Sequence, residues 1–221
     1  MTAAIRVAVV DYGAGNLVSI RNALQLLGAQ VHLATAAEDL VDADAILVPG
    51  VGASQPAMDR LHRQGLVDPI IERVRGGTWY LGICLGLQLL FERSHEDGAA
   101  MLGLLSGDVE HIADAPSLPH IGWNRLEVRR PHPVLDGLED GTPAYFVHSY
   151  VPVPADPSVV VAETEHGSRF ASLVASDHIV GFQFHPERSG DDGLRMLANT
   201  LALIGGSIPD PAQAGQGQGA A

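Results

Sequence analysis

The chain has 221 residues, of which 46% are hydrophobic, with one cysteine and a formal net charge of −13. That length suits one well-filled domain and is short for two, and the acidic balance argues against a nucleic-acid surface, which needs clustered Lys and Arg. A single cysteine excludes an intramolecular disulfide and fits a reducing cytosol. The start, Met1-Thr-Ala-Ala-Ile-Arg6, has no basic stretch ahead of an apolar core, and no apolar run approaches the ~20 residues that span a bilayer. A cytoplasmic protein without membrane or nucleic-acid contact is therefore expected.

In chain order, Ile5 to Val10 is a β-branched run that reads as a strand. Leu17, Ile20, Leu24 and Leu27 then recur at helical spacing, with Asn16 as N-cap and Gly28 past the end. Val31 to Ala34 reads as a second strand, and Ala45 to Val48 as a third that is buried because it is apolar on both faces. Asp68-Pro69 opens a helix carrying Ile70, Ile71 and Val74, with Asp as cap and Pro in the first turn. Strand Thr78 to Ile83 leads into an amphipathic helix with Leu85, Leu89 and Leu90. Repeated βα units of this kind predict an α/β fold with an open, mostly parallel, twisted sheet and helices on both faces.

From about Leu126 the strands follow one another: Leu126 to Arg129, Ala144 to Tyr150, Val159 to Glu163, Phe170 to Ala175 and Ile179 to Phe184. The last two flank the turn Ser176-Asp177-His178 and form a hairpin, so this portion is antiparallel. Leu194, Leu197, Leu201 and Ile204 make one closing helix that stops at Gly205-Gly206. The expected organisation is a single domain over 1–206 and a disordered, Gly/Pro/Gln-rich tail over 207–221.

The chemistry centres on Cys84, in Tyr80-Leu-Gly82-Ile-Cys84-Leu-Gly86. A lone cysteine is more often a small buried hydrophobe than a catalyst. Here Gly82 and Gly86 remove side chains where a strand turns sharply into a helix, and a helix start offers free N–H groups and a partial positive charge that favour an anion. His185-Pro186-Glu187 closes a later strand. His185 can take the thiol proton and Glu187 can orient the imidazole, since positions i and i+2 of a straight strand share a face. Pro49-Gly50-Val51-Gly52 follows a buried strand at its carboxyl end, where open α/β sheets place their sites. Its N–H groups suit an oxyanion hole, with the amide of Leu85 as second donor. Asp11-Tyr-Gly13-Ala-Gly15-Asn16 lacks the third glycine of a dinucleotide loop, because Val18 stands there, and reads as a turn beside the active face. No metal site and no cofactor are expected.

Gly82-Ile-Cys84-Leu-Gly86-Leu-Gln88 with His185-Pro-Glu187 resembles the class I, triad glutamine amidotransferases, which have a flavodoxin-like core. Three stretches narrow the likeness: Asp11 to Leu17, Pro119-His120-Ile-Gly122-Trp123-Asn124, and Tyr145-Phe-Val-His148-Ser149-Tyr150. Together they resemble the glutaminase subunits of imidazole glycerol phosphate synthases, in histidine biosynthesis, from about Ile5 to Ile204. The resemblance implies glutamine as substrate, a γ-glutamyl thioester on Cys84, His185 and Glu187 as its activators, and the amides of Val51 and Leu85 as oxyanion hole. It implies that Gln88 and the backbones of Gly50, Gly52, Ser149 and Tyr150 contact glutamine. It also implies a heterodimer with a (β/α)8 barrel synthase that receives ammonia, faced by Asn16, His120, Trp123, Asn124 and Tyr145. Trp123 and Tyr145 fit a core as well as an interface. Arg188 stands where the family commonly has lysine. Other readings are the glutaminase of another ammonia-using synthase, such as pyridoxal phosphate synthase, and a non-catalytic regulatory subunit. The His120 and His148 stretches speak against the first and the complete triad against the second.

Overall fold

The structure, a computed structural model, describes residues 4–13 and 15–205. The tail expected over 207–221 lies outside the described residues. Four parallel strands open the fold: β1 (Arg6–Val10), β2 (Gln30–Ala34), β3 (Ala45–Val48) and β4 (Trp79–Ile83). Between them lie α1 (Leu17–Leu26), α2 (Ser54–Arg63) and α3 (Val67–Arg75), and β4 runs into the single turn α4 (Leu85–Gln88). The second half contributes β5 (Arg93–Ser94), β6 (Gly107–His111), β7 (His120–Arg125), β8 (Glu127–Val128), β9 (Pro143–His148) and β10 (Tyr150–Pro154). It ends with β11 (Val160–His166), β12 (Ser168–Ser176), β13 (Ile179–Phe182) and α5 (Gly190–Ile204).

The main sheet runs β2-β1-β3-β4-β13-β12-β11-β8. It is parallel from β2 to β13 and antiparallel beyond. Alternation along β1 sends Val7 and Val9 into one core with α1 and α5, and Ala8 and Val10 into the other with α2 and α3. All four residues of β3 are buried, as expected of a central strand covered on both sides. The predicted hairpin is present, with Ser176 paired to Ile179. Among the described residues no helix is long and apolar enough to cross a membrane.

Several elements depart from the expected boundaries. Helix α3 begins at Val67, so Asp68 lies within its first turn and is not the cap. Helix α2 was not legible, because only Ala57, Met58 and Leu61 interrupt its polar run. The segment Ala144 to Tyr150 is two strands. Its chain leaves a ribbon with β7 at Ser149 and joins β6 instead, through Ile112 N–H to the Ser149 carbonyl at 3.0 Å. The Leu126–Arg129 strand is only the two residues of β8. The helix after Cys84 is not amphipathic, since all four of its residues are buried.

The β4–α4 elbow depends on close backbone approach. A Cβ on Gly86 would run into the carbonyl oxygen of Val48 on the neighbouring strand, and one on Gly82 would lie 2.6 Å from the Gly86 oxygen. The buried Tyr80 hydroxyl donates to that Gly86 oxygen at 2.8 Å, tying the turn down on the strand it came from. Gly86→Ala should therefore lower stability by about 3 kcal/mol, an overpacking cost read from urea unfolding. A loss under about 0.5 kcal/mol, ordinary for a tolerated substitution, would contradict this account of the elbow.

Candidate active site

The carboxyl ends of the adjacent strands β3, β4 and β13 bring Gly50, Cys84 and His185 to one edge of the sheet. Cys84 occupies φ 54°, ψ −108°, a strained conformation for a residue with a Cβ. It is 4% exposed, yet it lines a cavity of about 210 Å³ with Gly52, Leu85, Gln88, Glu96, Ser149 and Tyr150. That is small beside the ~300–1,000 Å³ of drug-sized sites and suits a small polar molecule. A larger hollow, about 890 Å³, opens at the opposite edge around Arg6, Asp44 and Trp79, away from this chemistry.

His185 and Glu187 do not sit on a straight strand. β13 stops at Phe182, and Pro186–Arg188 forms a 3-10 turn with His185 at its start. The turn swings Glu187 back under the ring, where Nδ1 meets Oε1 at 2.9 Å with the carboxylate side chain fully buried. A carboxylate there accepts from Nδ1–H, so in the neutral ring Nε2 keeps the lone pair. Nε2 has no hydrogen-bond partner among the described residues. Burial pulls the imidazole pKa down, but Cys84 and Glu187 together outweigh it and hold it at about 10. The thiol donates to the Val147 carbonyl at 3.7 Å and receives the Gln183 amide at 3.8 Å.

Gln88, 4% exposed, spends its amide protons on the Tyr150 carbonyl at 2.8 Å and Gln183 Oε1 at 3.1 Å. Its own oxygen remains as an acceptor. Glu96 is a carboxylate on the cavity wall that sequence reasoning passed over. Burial raises its pKa and Asp97 adds to the rise, partly offset by the Ser54 N–H. An acceptor and a carboxylate in one small cavity make it receptive to an ammonium group.

Val51 and Leu85 are not aligned as a donor pair. The Leu85 N–H donates to the Gly50 carbonyl at 3.3 Å, so the planar, trans Gly50–Val51 peptide turns its own N–H away from that point. Tyr12 fixes the residue before it, through its hydroxyl to the Pro49 carbonyl at 2.7 Å. Asn16 caps α1 through Ser19.

The ribbon β7–β9 covers the site. Its outer face exposes Ile121 (60%) and Trp123 (58%), with Tyr145 edge-on to Trp123 and Arg188 stacked over the Tyr145 ring at 4.1 Å. Trp123 is thus a surface residue. Behind that face, the His185 N–H donates to the Tyr145 carbonyl and the Tyr145 N–H to Ser189 Oγ.

The inner face holds His120, buried, and His148. Asn124 Nδ2 meets His120 Nε2 at 3.2 Å, His120 Nδ1 meets His148 Nε2 at 3.1 Å, and His148 Nδ1 meets the Tyr150 carbonyl at 3.1 Å. The amide at one end and the carbonyl at the other assign both tautomers, and both rings are neutral. Burial, reinforced by the stacked His166, lowers His120 to about 4. Burial and His120 lower His148 to about 3.

The family description "Glutamine amidotransferase class-I" matches residues 8–203. The chain is 43% identical over 198 residues to "Imidazole glycerol phosphate synthase subunit HisH" of Dehalococcoides mccartyi, covering 89% of this chain and 97% of that one. It is 44% identical to the protein of the same name from Aquifex aeolicus, covering 88% and 95%. A crystal structure of a glutamine amidotransferase superposes with a TM-score of 0.73 at 25% identity, covering 90% of this chain and 99% of that one.

The two low histidine pKa values carry a sign. Both lie below the ordinary 6.5, so the unfolded chain takes up these protons first as pH falls. Their stabilisation is complete above about pH 6.5 and is lost as pH falls toward 4 for His120 and 3 for His148. Urea unfolding from pH 7 to 4 should show this slope, reduced in His120→Gln. Equal slopes in both proteins would refute it.

Proposed function

Because the chain belongs to the class I glutamine amidotransferases, and within them to the HisH subunits of imidazole glycerol phosphate synthase, we propose that it hydrolyses glutamine to glutamate and ammonia as the glutaminase of that synthase, in histidine biosynthesis. The observation that carries the mechanism is the buried His185–Glu187 pair beside a strained Cys84 that opens on a small cavity.

In this reading His185 Nε2 takes the Cys84 proton, and the sulfur attacks the side-chain amide carbon of glutamine. The imidazolium returns its proton to the leaving nitrogen, so ammonia departs and a γ-glutamyl thioester remains. Water then gives a proton to the same Nε2 and its oxygen to the thioester carbon, which releases glutamate and restores the thiol. The free oxygen of Gln88 and the Glu96 carboxylate receive the α-ammonium group, while the Gly52, Ser149 and Tyr150 backbones face the α-carboxylate. The oxyanion is held by Leu85 and Val51 N–H only after the Gly50–Val51 peptide rotates, which moves the Gly50 carbonyl out of the way. The free chain is accordingly slow.

The exposed ribbon face, Ile121, Trp123 and Tyr145, is the proposed docking face for a (β/α)8 synthase subunit, with Asn16 at the start of α1 and Asn124 at the end of the His120 chain as further proposed contacts. His120, being buried, would act there through Asn124. That partner would condense the ammonia with phosphoribulosyl-formimino-AICAR-phosphate to give imidazole glycerol phosphate and AICAR. The complex would be cytoplasmic, with 1–206 as the amidotransferase domain and 207–221 as a tail.

With the barrel subunit and its ligand present, glutamate release should rise strongly over the free chain, and Cys84→Ala should abolish it. Full-rate turnover without the partner would remove the coupling. Glu96→Gln should raise KM for glutamine roughly tenfold with kcat little changed, the loss of one charged hydrogen bond. An unaltered KM would exclude Glu96 from ammonium binding.

A further inference from the structure

We infer that Gln183 is a positioning residue for the sulfur: its carboxamide presents an N–H to Cys84, in an orientation imposed through Gln88 by the Tyr150 carbonyl. Gln183 is fully buried between Phe182 and Phe184, two residues before His185, and it does not line the cavity. Its Nε2 lies 3.8 Å from Sγ, and its Oε1 accepts from Gln88 Nε2 at 3.1 Å. It therefore acts on the reaction only through Cys84 and Gln88.

The orientation of the two carboxamides follows from a single backbone oxygen. The Tyr150 carbonyl can only accept, and it already receives His148 Nδ1–H at 3.1 Å and Gln88 Nε2 at 2.8 Å. Rotating the Gln88 amide by a half-turn would set oxygen against oxygen at that distance. Gln88 must therefore show its second N–H to Gln183, and Gln183 must answer with Oε1. The donor end of Gln183 is then left facing the sulfur. A backbone acceptor two links away thus decides that Cys84 meets an N–H and not a lone pair.

The consequence is electrostatic. Once His185 has taken the thiol proton, the Gln183 N–H faces an anion, and a hydrogen bond to a charged acceptor is roughly twice as strong as a neutral one. A cation drawn to the free oxygen of Gln88 polarises the Gln88 N–H, which in turn strengthens the bond from Gln183 to sulfur. Occupancy of the ammonium site and reactivity of the thiol are thereby linked through the protein.

The inference rests on Cys84 being the nucleophile, which glutamate release tests separately, because alkylation of the thiol requires no glutamine. Cys84 is the only cysteine, so iodoacetamide on the full-length free chain reports on it alone. Gln183→Met and Gln183→Leu each lose both the donor to sulfur and the acceptor for Gln88, without introducing a charge. In each, alkylation at pH 7 should slow about tenfold and its pH profile should move alkaline. In the complex, both variants should lower kcat by a larger factor than they raise KM for glutamine. A variant that melts like the parent yet alkylates at the parental rate, with an unmoved profile, overturns the proposal. Should neither variant fold, the unsubstituted chain decides: the Gln183 side-chain amide protons must follow thiol ionisation in 15N-edited spectra. Resonances that stay fixed through that titration overturn it equally.

Discussion

The backbone of Cys84 sets the terms for the rest of the site. Its φ of 54° and ψ of −108° cost on the order of 1–3 kcal/mol for a residue with a side chain, and persist only where the surroundings leave no alternative. The Cys84 N–H donates to Phe182 on β13 at 2.7 Å, and its carbonyl accepts from Leu87 and Gln88 at 3.0 and 3.3 Å. Gly86 is pressed on Val48 of β3, and Tyr80 holds the Gly86 carbonyl from below. Relaxing one torsion would break contacts to both neighbouring strands together. The same turn brings the Leu85 N–H to the edge where Gly50 ends β3's connection, and aims Gln88 along the cavity.

How much of this could be read from the sequence depended on whether a residue's role was periodic or relational. Ala45–Val48 is apolar throughout, and only a central strand covered on both faces accommodates that. The elbow was legible from two glycines around one cysteine. The His185–Glu187 spacing was legible too, but as a strand face. Proline bends the chain into a 3-10 turn there, and the two side chains converge by that bend and not by the pleat. Glu96 had no signal, since its place depends on a loop folded back by Ser94 N–H to the Ala99 carbonyl. Gln183 was concealed in the otherwise apolar run Ile179 to Phe184, of which only Ile179–Phe182 is strand, and the alternation across Ala144, Phe146 and His148 ran without interruption into a break at Ser149. Pattern reports which face a residue occupies. It does not report which strand lies opposite.

The Gly50 carbonyl gives the resting site a definite energetic character. Its bond from Leu85 N–H, at 3.3 Å, is long for an amide pair, so rotating the Gly50–Val51 peptide sacrifices about 1 kcal/mol or less. Each N–H gained by an oxyanion is worth about 3–4 kcal/mol to the transition state. With no developing negative charge the rotation returns nothing, and with one it returns more than it costs. The barrier therefore lies less in that bond than in what grips the residue before it: Tyr12 on the Pro49 carbonyl.

Tyr12 belongs to the first of the motifs proposed for docking, while the proposed base is gripped by the ribbon's Tyr145 carbonyl on the His185 backbone N–H and by Ser189 Oγ on the His185 carbonyl. Both segments belong to the face proposed for docking. A partner pressing on Trp123 would load the Tyr145–Arg188 stack and, through one residue of backbone, the turn that carries Glu187. A partner that moved Tyr12 would release Pro49 and the peptide behind it. In the proposed mechanism, oxyanion donor and general base are thus adjusted by one docking event, through separate short paths and without moving Cys84, whose strained backbone is the part of the site least free to move.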